Sequence, residues 1–211
     1  MYKYPYQKEY QLSKELLWKP EPAKFVKVLL QLFPNEVKGK WVLDLGAGEG
    51  KNSIPFAKYN CKVIAIDKSE IALSRFIKQP LYELCKDNIL RVNIDVRDVN
   101  FQENSFNIIV AYGIFHCLNS ISEINNIVKR VKNWITKKGY FVGATFTNDR
   151  KPPDEQDYLN YNAFLEPQEF KRMFNGWEII QYEEQIIKET HPIEGSIEHE
   201  HSIARIIARK P

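Results

Sequence analysis

The residues of this chain best suited to chemistry are a glycine turn and the carboxylates spaced behind it. Val42-Leu43-Asp44-Leu45-Gly46-Ala47-Gly48-Glu49-Gly50 runs from an apolar stretch into three glycines at alternate positions. Glycine tolerates positive φ and lets backbone N–H groups approach a ligand closely, so such a turn between a strand and a helix suits the binding of a polar small molecule. About 20 residues past the glycines, Ile64-Ala65-Ile66-Asp67 ends a second apolar run on an acid, the place from which a carboxylate reaches the hydroxyls of a ribose. Further on, Ile94-Asp95-Val96 offers another strand-end acid, and a fourth run ends Tyr112-Gly113-Ile114-Phe115-His116-Cys117. The combination points to a nucleoside-containing cofactor. A nicotinamide or flavin fingerprint would set its third glycine one residue later, where Lys51 stands.

These segments can act together only if the fold brings them to one edge of a sheet. Runs at Trp41 to Leu45, Lys62 to Ile66, Leu90 to Ile94, Phe106 to Ala111 and Tyr140 to Phe146 alternate with amphipathic stretches. That alternation predicts parallel strands buried on both faces beneath helices. Helices are expected over Ala23 to Phe33, and over Ser69 to Lys78 with Ser69 as cap. Another follows Ser120 and Glu123, which have capping-box spacing, and Gly139 is its expected stop. A polar loop from Thr147 to Asn162 and a short helix near Pro167 lead to two long strand patterns, Trp177 to Ile187 and Ser202 to Arg209. Only a turn separates these two, which leaves no room for a crossover helix and makes them a hairpin. The expected fold is α/β: a Rossmann-like, seven-stranded, mostly parallel sheet with an antiparallel C-terminal hairpin and helices on both faces. All four motif segments then lie at the carboxyl ends of parallel strands, where open α/β sheets bind ligands.

The same topology concentrates the histidines. His191, His199 and His201 fall in or beside the connection of the final hairpin, and His116 follows the fourth strand. All four are therefore expected on the ligand face, where an imidazole can act as a base, a hydrogen-bond donor or a metal ligand near neutral pH. The competing expectation for His199-Glu200-His201 is a solvated hairpin face, and for His116 a packing role. No metal site is expected.

Over essentially its whole length the sequence resembles the class I S-adenosylmethionine-dependent methyltransferases. The likeness rests on Asp44, two residues before the first glycine, on Phe115-His116-Cys117-Leu118 after the fourth strand, and on the final hairpin. The resemblance implies an enzyme that moves a methyl group from S-adenosyl-L-methionine to a small-molecule acceptor. It sets Asp44 and the Gly46 to Gly50 turn, including Ala47 and Gly48, against the methionine moiety. It sets Asp67 on the ribose, and Asp95 with the Val96 backbone against the adenine. Asn52, Lys68 and Tyr112 complete the expected cofactor wall. A narrower likeness to the tellurite-resistance (TehB-like) branch rests on Lys51-Asn52-Ser53, Phe174-Asn175-Gly176-Trp177-Glu178, Ala208-Arg209-Lys210 and Tyr10-Gln11-Leu12. It implies a thiol or a chalcogen oxyanion such as tellurite as acceptor. The chain departs from that branch at Ala47, where a cysteine-like residue is usual, and in a longer final hairpin. A non-catalytic nucleoside-binding module and a methyltransferase acting on a macromolecule are the competing readings.

Composition narrows the field. The 211 residues are expected to form one domain over 1–211. Residues 1–20, with Tyr2, Tyr4, Tyr6, Tyr10 and Trp18, are an arm expected to fold over the cofactor as a lid or to trail as a tail. Tyr158, Tyr161 and Phe164 are expected as pocket walls. A net charge of +3 spread along the chain lacks the basic stripe of a nucleic-acid binder. No apolar run approaches the roughly 20 residues of a membrane span, and the first residues lack the apolar core of a secretory signal, which reads as cytoplasmic. Cys61, Cys85 and Cys117 have no paired metal spacing and suit a reducing compartment.

Overall fold

The computed structural model describes residues 6–151, 163–190 and 198–211. Its strands are β1 (Trp41–Leu45), β2 (Lys62–Asp67), β3 (Ile89–Asn93), β4 (Phe106–Tyr112), β5 (Ile135–Thr147), β6 (Glu178–Glu189) and β7 (His199–Arg209). They form one seven-stranded sheet in the order β3-β2-β1-β4-β5-β7-β6. The pairs among β1 to β5 are parallel, while β7 runs antiparallel to both β5 and β6. The expected seven-stranded, mostly parallel sheet with a terminal hairpin is thus present. The hairpin partner β7 inserts between β5 and β6 because it is apolar on both faces, with Ile203, Ala204, Ile206, Ile207 and Ala208 buried. The Glu- and Gln-rich β6 is left at the edge, where polar side chains meet water.

Helices α1 (Gln7–Leu12), α2 (Lys24–Leu32), α3 (Pro34–Val37), α4 (Ser53–Lys58), α5 (Glu70–Ser74), α6 (Tyr82–Cys85), α7 (Ile121–Trp134) and α8 (Glu169–Arg172) surround the sheet. Alternation along the strands gives two cores. Val42, Val63, Val110 and Val142 pack against Phe25, Val26 and Leu29 of α2 and Phe56 of α4. On the other face Leu43, Leu45, Ile109 and Phe141 pack against Ile124, Ile127, Val131 and Trp134 of α7, with Phe170 and Phe174. None of the described helices is long and apolar enough to cross a membrane.

Several local expectations change. Gly139 does not stop α7: the helix ends at Trp134, Ile135 is already extended, and Gly139 lies inside β5. Its role is close approach, since a Cβ there would come 2.7 Å from the Asn107 carbonyl oxygen. The chain kinks at Lys138 (φ 59°), and the β4–β5 register jumps from Phe106↔Ile135 to Ile108↔Tyr140. At the start of α7, Ser120 Oγ accepts the Glu123 N–H at 3.2 Å, as the capping box requires. The Glu123 carboxylate returns instead to the Asn119 N–H, at 3.0 Å. The helix expected to Lys78 is α-helical only to Ser74; residues Arg75–Lys78 tighten to a 3-10 turn, and Gln79 is extended ahead of Pro80. Strand β3 is an edge, with Leu90 58% exposed, and is not buried on both faces as expected. Residues 6–18 of the N-terminal arm are packed: Tyr10 and Leu17 are buried with Ala72, and Tyr6 and Trp18 pack beside them.

Candidate active site

Chain order reverses between β1 and β4, and the carboxyl ends of the strands beside that point open into a cavity of about 600 Å³. Gly46, Ala47 and Gly48 form part of its wall. Gly46 and Gly48 have φ of 67° and 56°, the left-handed region that favours glycine. The Gly48 N–H donates to Asp67 Oδ2 at 2.8 Å, and the Ser69 N–H donates to Oδ1 at 2.8 Å. Asp67 is therefore fixed at the tip of β2, with each oxygen holding one N–H and retaining a further lone pair. Burial raises its carboxyl above the ordinary range, and the two backbone N–H groups work against that rise.

Beyond it, Lys68, Asp95, Val96 and Arg97 continue the wall. Burial pushes the Asp95 carboxyl up, but Arg97 outweighs it: Nε and Nη2 donate to the two carboxylate oxygens at 3.0 and 2.7 Å, and the net shift is downward. Tyr112 lines the cavity from β4. Asn52 lines it too, although its Oδ1 accepts the Ala23 N–H at 2.9 Å and so ties the turn to the start of α2. Cys117 is on the wall, its thiol pushed up to about 12 by burial, with Lys68 opposing the rise, which removes it as a nucleophile.

Asp44 differs from expectation. It is 1% exposed beneath the turn, off the cavity wall, where Oδ2 accepts Ser53 Oγ–H at 2.6 Å. The physical reason is the strand's pleat, which points Asp44 toward the start of α4. Burial lifts its carboxyl to about 7, with the Ser53 hydrogen bond opposing and the Asp67 charge assisting. A carboxyl whose folded pKa is raised keeps its proton while the unfolded chain has lost its own. Stability therefore falls as pH rises from about 4 to about 7 and levels off above, by on the order of 4 kcal/mol. Asp44→Asn should flatten that limb of a urea-denaturation series against pH. An unchanged slope would show that Asp44 ionises freely in the fold.

The N-terminal arm reaches the site. Tyr6, Tyr10 and Trp18 line the cavity. They are held by a buried pair that sequence reasoning missed, Glu49 of the glycine turn and Arg75. Glu49 accepts the Leu17 N–H at 2.8 Å, the Trp18 N–H at 3.2 Å and Arg75 Nη1 at 3.0 Å. Arg75 also donates to the carbonyls of Glu15 at 3.1 Å, Tyr10 at 2.5 Å and Ser13. The only signal in the sequence was a charged residue inside a glycine turn that is otherwise small.

On the far side, His116, Phe146, Ile187, His201 and Ile203 complete the wall. The Phe146 ring stacks on His116 at 3.8 Å with a 5° interplanar angle, and lies 4.1 Å from the His201 ring. His201 is fully buried, not part of a solvated hairpin face, because β7 is the interior strand. His199 is also buried but stands behind His201, ring centroids 5.4 Å apart, and is not on the wall. His191, Tyr2, Tyr4, Tyr158 and Tyr161 lie outside the described residues. Phe164 packs behind Phe146 and not on the cavity.

A family model described as "Tellurite resistance protein TehB" matches residues 32–196. A Haemophilus influenzae protein named "Probable S-adenosyl-L-methionine-dependent methyltransferase TehB" is 30% identical over 145 residues, 68% of this chain and 48% of its own length. The chain thus spans about half the length of the curated relatives it matches. The crystal structure of TehB from Haemophilus influenzae superposes with a TM-score of 0.74 at 22% identity, covering 98% of this chain and 66% of that one. A Burkholderia thailandensis 1,6-didemethyltoxoflavin-N1-methyltransferase, solved with 1,6-didemethyltoxoflavin and S-adenosylhomocysteine, superposes with a TM-score of 0.60 at 19% identity, covering 88% of this chain and 76% of that one. These two structural likenesses establish the fold.

Proposed function

The chain belongs to the TehB family, and on that premise we propose that it transfers a methyl group from S-adenosyl-L-methionine to a small-molecule acceptor. The observation that carries the reading is the coupling of the glycine turn to Asp67. The Gly48 N–H orients the Asp67 carboxylate, which in this reading takes the ribose. At Gly46 a side chain has no room, since a Cβ there would lie 2.9 Å from Ile114, and at Gly48 a Cβ would press on Tyr10 Oη at 3.0 Å. The residues present fit a nucleoside bearing an amino-acid arm.

S-adenosylmethionine, when bound, supplies an electrophilic sulfonium methyl. The chain's own residues then bind, orient and exclude water, which is most of what such a displacement requires. Asp67 holds the ribose, while Val96 and the fixed Asp95 border the adenine. Asp44 acts through Ser53 and the turn. The arm is a lid in this reading, latched by Glu49 and Arg75. The family description names tellurite, so a chalcogen oxyanion or a thiol is the acceptor that name suggests.

Calorimetry with S-adenosylmethionine and S-adenosylhomocysteine tests the cofactor. Asp67→Ala should weaken binding by about 1.5–3 kcal/mol, the range for hydrogen bonds to a charged group. Unchanged affinity would place the ribose elsewhere. Arg75→Ala leaves Glu49 buried without its partner, which typically costs about 3–5 kcal/mol. A lower Tm, protease cleavage within residues 6–18 and weaker cofactor binding are expected together. Retained affinity with a cleavable arm would show that the arm is no lid.

A further inference from the structure

The cavity wall carries Lys51, Lys68 and Arg97, and they stand in two places. Lys68 and Arg97 follow β2 and β3 and gather about Asp95. Arg97 Nη2 lies 2.7 Å from the Asp95 carboxylate; burial lowers the Lys68 pKa, and Asp95 is the main charge opposing that fall. Lys51 stands apart, directly after Gly50 of the glycine turn. Its ammonium lies over the Trp18 ring, 5.4 Å from the centroid. The Trp18 N–H is held by Glu49 of the same turn at 3.2 Å. Burial dominates the Asp44 carboxyl beneath the turn, and Lys51 is the cation whose charge reaches it. Below about pH 7 Asp44 keeps its proton, so it does not cancel the Lys51 charge.

In the methyl-transfer reading the ribose is on Asp67 and the adenine beside Asp95, so the amino-acid arm of the cofactor runs the other way, along the turn. That arm carries a carboxylate. A carboxylate drawn into a cavity loses hydration and needs a cation or several N–H donors in exchange. An ammonium has three donors and can hold a carboxylate while it faces an indole ring. Resting on that reading, we propose that Lys51 binds the carboxylate of the cofactor's amino-acid arm and so selects nucleosides that carry this arm. The same contact joins the cofactor to the N-terminal arm of the chain, because Lys51 and Glu49 both meet Trp18 from the turn. Lys51 is a binding residue and takes no part in the displacement at the methyl carbon.

A double cycle that changes ligand and protein together tests the contact. S-adenosylmethionine is compared with decarboxylated S-adenosylmethionine, which keeps the adenosine, sulfonium and ammonium and lacks only the carboxylate. Both are titrated by calorimetry into the whole chain and into its Lys51→Gln and Lys51→Arg variants. In the unaltered chain, loss of the carboxylate should weaken binding about tenfold to a hundredfold, the range for a hydrogen bond to a charged group. In Lys51→Gln the two ligands should bind within about threefold of each other, and Lys51→Arg should restore most of the difference. 5′-Methylthioadenosine, which lacks the whole amino-acid arm, should bind all three proteins alike. Lys51→Met keeps the aliphatic stem against Trp18 and supplies the same cycle if a thermal melt shows Lys51→Gln unfolded. Equal discrimination by the unaltered chain and the folded variant overturns the proposal, as does a loss that falls equally on all three ligands. Failure of S-adenosylmethionine and 5′-methylthioadenosine to bind the unaltered chain would instead sink the cofactor reading, so the two failures are told apart.

Discussion

Replacing His201 by alanine should lower turnover by about 10²–10⁴-fold, the usual consequence of losing a general base, with S-adenosylmethionine affinity nearly unchanged. The expectation rests on place. His201 is fully buried on the interior strand β7, on the cavity wall, and against Phe146, whereas the glycine turn proposed for the cofactor follows β1. His201→Gln fills similar space without a titratable ring and should lose as much activity as His201→Ala, which separates proton transfer from packing. His199→Ala is the control, because His199 stands behind His201 and off the wall. Turnover should survive that change while Tm falls. If His201→Gln keeps near-normal turnover, proton removal is not its role and proximity alone carries the reaction.

Gly48→Val should weaken S-adenosylmethionine binding by well over tenfold, beyond about 1.4 kcal/mol. Three effects act in the same direction. The residue sits at φ 56°, which a β-branched side chain adopts only with strain. Its Cβ would press on Tyr10 Oη at 3.0 Å, on the arm. Its N–H orients Asp67, so any shift of the turn also misplaces the carboxylate proposed to hold the ribose. Calorimetry beside a thermal melt decides the matter: normal affinity in a folded Gly48→Val protein would mean that the cofactor lies elsewhere.

Much of this was legible in the linear sequence because it depends on local rules. Short, near-continuous apolar runs between amphipathic stretches set the strands, the two long terminal patterns set the hairpin, and glycines at alternate positions marked a turn that uses positive φ. Strand-end acids follow from the same reasoning, since the carboxyl ends of parallel strands share one edge, and Asp67 and Asp95 are both found there. Boundaries were less legible. Whether Gly139 stops a helix or admits a close backbone contact depends on Asn107, a residue of a neighbouring strand.

The tertiary structure decided everything that depends on which chain segments meet. Asp44 and Asp67 both end motif strands, yet the pleat turns one beneath the sheet's edge toward Ser53 and the other onto the cavity. Three histidines near one hairpin looked equivalent; the insertion of β7 between β5 and β6 buries His201 on the wall and leaves His199 behind it. The Glu49–Arg75 latch joins residues 26 positions apart and clamps an arm still further away. Such long-range pairings leave no periodic trace, because each partner's own surroundings in sequence say nothing of the other. The chain itself therefore specified a parallel sheet with a glycine turn at its carboxyl edge, and only packing in three dimensions selected which acids, imidazoles and rings face the space above it.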